Sequence, residues 1–421
     1  MNKNRITGTI NVSPDKSISH RALLISAIAR GTSRIKNFLY SADCLSTQQC
    51  LKKLGVDIEK NISGEIMVRG KSLQLDQPTC DLDAGNSGTT ARLLAGILAG
   101  QNFTSRIIGD ASLSRRPMQR IIEPLRQMGA KINSNNGLLP LEITGGKLKP
   151  INYLSPVASA QVKSGILMAG LYATGITSFT EPEKSRDHTE RMLKNFGIEI
   201  EVKGNTVAVS GGKTPQASEI SVPADFSSAA FFIVAASILP GSELLIKNVG
   251  VNPTRTGLLE VLKRMNADIK IENQKEFNQE PVADIVVRYS ELKATEVRKE
   301  EIPRLIDEIP ILTVAATQAN GISRITGAEE LRVKESDRLK TIASELKKMG
   351  ARIEELKDGL VITGPTRLSG TDVNSYQDHR IAMALAIAGL VAEGETKISE
   401  PDCVNISFPE FFSIIKKVVN R

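Results

Sequence analysis

The chain contains no tryptophan, and aromatic residues make up only 4% of its 421 residues. Proteins that hold single-stranded nucleic acid stack bases on aromatics interleaved with Lys and Arg. Here the basic residues are dispersed, so no nucleic-acid partner is expected. Histidine is scarce too: the three present form no cluster with Cys or carboxylates at metal-ligand spacing, so a metal site is not expected. The four cysteines, Cys44, Cys50, Cys80 and Cys403, form no CxxC pair and read as reduced thiols of a cytoplasmic protein. No apolar run is long enough to cross a bilayer. The opening MNKNRITGTINV lacks the apolar stretch of a secretory signal. A membrane partner is therefore not expected either.

What is present describes a globular chain. Hydrophobic residues reach 41% and charged residues 24%, ordinary values for a folded domain. The length exceeds what one core usually holds, and two domains are the natural expectation. A formal charge of +7 fits a small anionic substrate as well as a polyanion.

One phrase recurs. LKKLGVDI at 51–58 returns as LRQMGAKI at 125–132, LKNFGIEI at 193–200, LKRMNADI at 262–269 and LKKMGARI at 346–353. A second phrase, an apolar run followed by a glycine and an Ile/Phe segment, recurs in phase, with its glycines at Gly31, Gly100, Gly175, Gly241, Gly321 and Gly394. Six units of about 70 residues account for the whole chain. Each unit reads as a buried helix closed by its glycine, a strand, a loop, a second helix ending at the Leu-Gly phrase, and another strand. The sixth copy ends at Ile414–Arg421 with no strand after it. Ile6–Val12 could supply that strand, which would put both chain ends in one domain. At an offset of 210, Val12, Asp15 and Ser17 match Val222, Asp225 and Ser227. These read as two crossovers, near 12–15 and 222–225, between an N-terminal domain (13–222) and a C-terminal domain (1–12 plus 223–421) of three units each.

The loops that depart from the repeat share a chemistry. Lys16, Ser17 and Arg21 sit at the entry to a helix read as beginning near Ala22; free amides with Lys and Ser make an anion site, although Ser17 alone could be an ordinary cap. Asn86-Ser-Gly88 opens another helix, with Gly88 allowing close approach to the backbone. Arg115-Arg116-Pro117 suggests a fixed loop presenting cations. Ser159-Ala-Gln161 and Ser185-Arg186 add polar groups and an arginine. Asp307-Glu308 precede an apolar helix, where capping would explain one carboxylate. Arg332–Arg338 holds three cations and two carboxylates, which a solvated helix face would also explain. Asp378-His379-Arg380 stands before the last apolar helix. If the helices of each domain run parallel, their positive ends and these side chains converge on polyanionic small substrates.

In this order PDKSISHRALL, GNSGTTARLL, RRPM, SAQVKSG, RVKESDRL, DHRIAMA and SFPEFF resemble the 5-enolpyruvylshikimate-3-phosphate synthase family in its bacterial single-function form. The resemblance runs from about residue 6 to the end. It implies an α/β fold of two similar domains, each of three βαβαββ units forming an inside-out α/β barrel, with the active site in the interdomain cleft. It implies transfer of the enolpyruvyl group of phosphoenolpyruvate to the 5-hydroxyl of shikimate 3-phosphate, without cofactor, in a monomer. Shikimate 3-phosphate would be held by Lys16, Ser17, Arg21, Ser159, Gln161, Ser185, Arg186, Asp307 and Lys334. Phosphoenolpyruvate would be held by Lys16, Asn86, Gly88, Arg116, Gln161, Arg338 and Arg380. Asp307 would be the base toward the hydroxyl, and Glu335 the acid toward the methylene carbon, with Lys16, Lys334 or His379 assisting.

The chain departs from the family pattern in places. Ile406 stands where many relatives carry a lysine near the Phe-Pro pair, so one phosphoenolpyruvate contact is lost or replaced. Glu330 replaces an asparagine, and Ser159-Ala160 a serine pair. Gly88 is retained, which implies sensitivity to glyphosate. Two other readings remain. UDP-N-acetylglucosamine enolpyruvyl transferases carry a cysteine in the loop that here runs Gly109–Pro117 without one. A non-catalytic polyanion-binding repeat protein would have no need of Asp307 or Glu335.

Overall fold

The computed structural model describes residues 4–420. They divide into two compact units, one of residues 14–222 with 277–280, the other of residues up to 13, 223–276 and 281 onward. Each has its own hydrophobic core.

The Leu-Gly phrase is a helix terminator, and its hydrogen bonds explain its spelling. In all five copies a helix stops at an apolar or aromatic cap, and the next residue takes positive φ: Gly55 (77°), Gly129 (108°), Gly197 (79°), Asn266 (71°) and Gly350 (93°). The amide two beyond the cap donates to the carbonyl of the leading leucine: Val56 to Leu51 (3.1 Å), Ala130 to Leu125 (3.1 Å), Ile198 to Leu193 (2.9 Å), Ala267 to Leu262 (2.9 Å) and Ala351 to Leu346 (2.9 Å). This is the Schellman arrangement, which needs a left-handed residue after the cap and pairs two apolar side chains around it. Asparagine, the non-glycine residue that best tolerates that conformation, fills the fourth copy.

The other glycine series plays a different part from the one expected. The buried helices end earlier, at Ile28, Ala99, Gly170, Ile238, Gln318 and Val391. Gly31 and Gly321 instead lie in the strands that follow, with φ of 98° and 114°, and Gly100 is a helix cap with ordinary negative φ.

Four four-strand sheets and one of five strands share one plan: a parallel pair of strands, joined through a helix in three of the five, then two antiparallel strands reached through a second helix and a turn. The sixth repeat has a two-strand sheet, Asp372–Asn374 with Lys397–Ser399. Two strands pair with partners far away in sequence. Arg5–Ile10 runs parallel to Glu243–Gly250, with Thr7 opposite Glu243 and Ile10 opposite Ile246. Glu219–Ser221 runs parallel to Arg30–Lys36. The chain does end in a strand, contrary to the sequence reading: Val419–Asn420 pairs antiparallel with Arg5 and Ile6.

The first helix of each repeat is buried along most of its length, and in Phe226–Ile238 every residue is buried, as expected of a helix enclosed by its unit. Five of the six take a side-chain cap, from Asp15, Ser87, Ser159, Asp225 and Asp378. Capping Asp and Ser residues satisfy amides that burial would otherwise orphan. The C-terminal SFPEFF motif is core: Phe408 and Phe411 pack edge-on against Phe232, and Phe411 against Phe231.

Candidate active site

Each unit carries its own set of predicted residues. In the 14–222 unit the first helix spans Lys16–Ile28, so it starts six residues before the expected Ala22. Asp15, not Ser17, is its cap and accepts from the Ile18 amide at 2.8 Å. Lys16 pairs with Asp43 at 3.0 Å. Arg21 is buried, and its guanidinium donates to Thr189 Oγ1 (2.7 Å), Ser164 Oγ (2.8 Å) and the Ser17 carbonyl (3.0 Å). Burial, opposed by Glu190 and reinforced by Arg186, lowers its pKa to about 10. Arg21 and Arg186 thus make a positive centre that an anion would relieve.

The Gly88–Ala99 and Ala160–Gly170 helices meet through glycines. A Cβ on Gly96 would stand 2.1 Å from the Gly165 carbonyl oxygen. One turn earlier on the same helices, Arg92 donates to Gln161 Oε1 at 2.8 Å and Gln161 donates to Thr89 Oγ1 at 3.0 Å. Gly88 lies under Arg92: a Cβ there would come within 2.6 Å of Arg92 Nη1. Arg116 is buried and donates to Asn86 Oδ1 (2.6 Å), and Asn86 donates to Asp110 (2.7 Å). Ser159 caps its helix through a long bond of 3.4 Å from the Val162 amide, which leaves its own hydroxyl proton for another acceptor.

A buried ion triad lies beneath Ser185. Lys163 Nζ is 2.8 Å from Glu181 and 2.9 Å from Glu190, all nearly without exposure. Burial works against its charge, but the two carboxylates outweigh this and raise its pKa. Lys163 also donates to the Ser185 carbonyl (3.2 Å), while the Ser185 amide donates to Glu181 (2.9 Å). Both backbone groups of Ser185 are thereby fixed, and its buried hydroxyl has no protein partner among the described residues. Sequence reasoning missed this triad. The signal was a lone lysine inside an otherwise small and apolar helix.

In the other unit the centre is Arg338, buried at 1% exposure. It donates to Asp378 (2.8 and 3.2 Å), Glu335 (2.6 Å) and Asp307 (3.2 Å). Burial opposes its charge, yet Asp378, Glu335 and Asp307 together raise its pKa. Asp307 also lies 3.5 Å from Arg380 Nη2, and Arg380 donates to the Asp307 carbonyl at 3.2 Å. Glu308 does not cap the helix that follows. It is buried, accepts from Ser227, and stands 4.0 Å from Arg380. Arg332–Arg338 is not a helix face: a short 3-10 turn ends at Val333, and the next helix begins at Arg338. Lys334 keeps 30% of its surface and lies 3.9 Å from Glu330. Burial lowers its pKa, with Glu330 and Asp307 opposing and Arg338 assisting. His379 is buried in the first turn of its helix. Ile406 is half-buried at the end of a 3-10 turn. Asp378, read from sequence only as part of the Asp-His-Arg triplet, caps the last helix through the Arg380 amide (3.0 Å) while holding Arg338, a bond that the sequence did not show. No helix among the described residues is long and apolar enough to cross a membrane.

Six βαβαββ-type repeats in two units, carrying buried guanidiniums beside carboxylates and a lysine of lowered pKa, define an enzyme of the enolpyruvyl transferase type. The family model for EPSP synthase (3-phosphoshikimate 1-carboxyvinyltransferase) matches residues 1–415. A 3-phosphoshikimate 1-carboxyvinyltransferase of Endomicrobium trichonymphae is 54% identical over 99% of this chain and 98% of its own length. One of Desulforamulus reducens is 54% identical over 99% and 97%. The EPSP synthase structure from Acinetobacter baumannii superposes with a TM-score of 0.88 at 44% identity, over 100% of this chain and 98% of the other. The enolpyruvyl transferase NikO of Streptomyces tendae, at 18% identity and a TM-score of 0.80 over 99% of this chain and 96% of that one, shares the fold. The chain belongs to the EPSP synthase family. It is a transferase of the shikimate pathway with 3-phosphoshikimate 1-carboxyvinyltransferase activity.

Proposed function

We propose that the residues of the two units divide the reaction between them. Lys16, Ser17, Arg21, Ser159, Gln161, Ser185 and Arg186 hold shikimate 3-phosphate. Asn86, Gly88, Arg116, Arg338 and Arg380 hold the carboxylate and phosphate of phosphoenolpyruvate, with Lys16 and Gln161 touching both ligands. Asp307 takes the proton of the 5-hydroxyl as that oxygen attacks C2 of phosphoenolpyruvate, the carbon bearing the phosphate oxygen. Glu335 protonates the methylene carbon, assisted by Lys334, whose lowered pKa loosens its proton, and by Lys16 and His379. The resulting tetrahedral adduct expels phosphate as Glu335 takes a proton back from what is now a methyl group. Arginines suit the two planar or tripodal anionic groups because each binds two oxygens at once.

The observation that carries the reading is Arg21: a buried guanidinium held by two hydroxyls and a carbonyl, with Arg186 adding to the penalty on its charge. The protein acts as a cytoplasmic monomer on these two small anions, without nucleic acid or membrane. Glyphosate inhibits it, since Gly88 keeps the space beside Arg92 open.

Phosphate release from phosphoenolpyruvate, measured with shikimate 3-phosphate and in parallel with UDP-N-acetylglucosamine, tests the acceptor. Asp307→Ala should abolish release with binding retained, and Arg21→Ala should raise KM for shikimate 3-phosphate. Full activity in either variant would refute the assignment of that residue.

A further inference from the structure

The approach to Asp378 is strained. Between the strand Asp372–Asn374 and the helix His379–Val391, two consecutive non-glycine residues, Tyr376 and Gln377, hold φ of 53° and 56°. Side chains disfavour that region, and such residues persist where their surroundings over-determine them. The surroundings here are specific. The Tyr376 amide donates to Asn374 Oδ1 at 2.7 Å, and its hydroxyl to Glu345 Oε1 at 2.9 Å. The Asn374 amide donates to Glu345 Oε2 at 2.9 Å. Gln377 donates through its amide to Ser375 Oγ (3.2 Å) and through its side chain to Glu400 Oε1 (2.9 Å). Glu400 itself has φ of 53°.

Glu345 is the anchor. It lies on the Arg338–Lys348 helix with no exposed surface, and among the described residues it pairs with the Lys348 ammonium at 2.8 Å. No chemical step uses it. A buried carboxylate is retained only where it is paired and hydrogen-bonded, and its two oxygens receive the Asn374 amide at the end of the strand and the Tyr376 hydroxyl within the strained turn. The turn leads straight to Asp378, whose amide donates to the Ser375 carbonyl at 3.0 Å. The Asp378 carboxylate in turn orients Arg338, through Nε and Nη2, and the Arg380 amide. A chain of bonded groups therefore runs from Glu345 through Tyr376 to the Arg338 guanidinium and to the backbone amide of Arg380.

We propose that Glu345 and Tyr376 are positioning residues for the enolpyruvyl donor: they hold the strained turn at 375–377 so that Asp378 aims Arg338 and Arg380 at the anionic groups of phosphoenolpyruvate. The inference rests on the reading that those two arginines bind that ligand. Tyr376→Phe removes one hydrogen bond and keeps the ring. Glu345→Gln keeps the shape but sets an amide N–H against one of the donors now received. Gln377→Gly lets the turn keep its φ without strain.

The test is steady-state phosphate release by the full chain, varying phosphoenolpyruvate and shikimate 3-phosphate separately. Tyr376→Phe and Glu345→Gln should each raise KM for phosphoenolpyruvate roughly fivefold or more, with KM for shikimate 3-phosphate changed much less. Adding Gln377→Gly to Tyr376→Phe should restore most of the loss, a rescue that a merely structural bond would not show. Arg380→Lys is the control on the site. If it raises KM for phosphoenolpyruvate while Tyr376→Phe and Glu345→Gln do not, the positioning role is wrong and the site reading stands. If Arg380→Lys leaves that KM unchanged, the site reading falls and the inference with it. Equal loss for both substrates without rescue would make the turn structural only and overturn the proposal.

Discussion

Replacing Gly96 by alanine tests whether the site depends on how closely two helices approach. The added Cβ would sit 2.1 Å from the Gly165 oxygen and 2.8 Å from Gly165 Cα. Comfortable carbon–oxygen contact begins near ~3.3 Å, so the helices must part by roughly 1 Å. The Arg92–Gln161 bond spans the same two helices one turn away, and at 2.8 Å it would stretch toward ~4 Å, beyond hydrogen-bonding reach. Overpacking costs about 1–3 kcal/mol, and loss of a charged hydrogen bond about 1.5–3 kcal/mol. The better helix propensity of alanine returns about 1 kcal/mol. The net loss is thus about 1.5–5 kcal/mol, accompanied by a rise in KM for phosphoenolpyruvate. Urea denaturation followed by circular dichroism gives the first quantity and phosphate release the second. Gly146→Ala, where nothing lies within 4 Å, is the control and should be close to neutral. If Gly96→Ala matches Gly146→Ala in both assays, the helix contact does not position Arg92 and Gln161.

Gly88→Ala should behave differently, because its Cβ meets the mobile end of Arg92 rather than backbone. Stability should change by less than about 1 kcal/mol while KM for phosphoenolpyruvate rises about tenfold; equal effects on both would refute this. Lys163→Met strands Glu181 and Glu190 in the core and should cost about 3–5 kcal/mol; adding Glu181→Gln and Glu190→Gln should recover part of it in the same denaturation assay. His20 is fully buried, and burial, with Lys16 and Arg21, holds its pKa well below 6.5. The unfolded chain takes up a proton near 6.5 that the native protein refuses, so the stability present above that pH is lost as pH falls. The slope from this group is about 1.4 kcal/mol per pH unit below 6.5. His20→Gln should flatten the change between pH 7.5 and 5.5, and an unchanged slope would assign the loss to other groups.

What the sequence shows and what it hides follow the range of the interactions. The Leu-Gly phrase was legible as a helix end because its hydrogen bonds close within six residues. Its twin series of glycines was misread as left-handed caps, although Gly100 does cap its helix with ordinary φ, because sequence does not distinguish a glycine needed for a left-handed cap from one needed at a strand entry. The helix at Lys16 starts earlier than expected because its polar first turn hides the apolar period, although Asp15 was present as a cap. Lys16, Arg21, Arg338 and Arg380 stood out as charges at helix entrances. Their supports did not: Lys163 finds Glu181 and Glu190 across 18 and 27 positions, and Asp378 finds Arg338 across 40. The short strand at Val419–Asn420 escaped notice because its partner lies at the opposite end of the chain.

The pairing of Arg5–Ile10 with Glu243–Gly250 sets an order of events during synthesis. The strand leaves the ribosome well ahead of its partner, which begins 233 residues after Ile10. At roughly 5–20 residues per second the wait is about 12–47 s. Meanwhile residues 14–222, whose strand Glu219–Ser221 returns to Arg30–Lys36, can complete their sheets. The leading strand emerges with unpaired edges, the kind of segment that chaperones shield and aggregates recruit. A nascent chain halted before residue 243 would therefore carry one folded unit and a tail still waiting for its sheet.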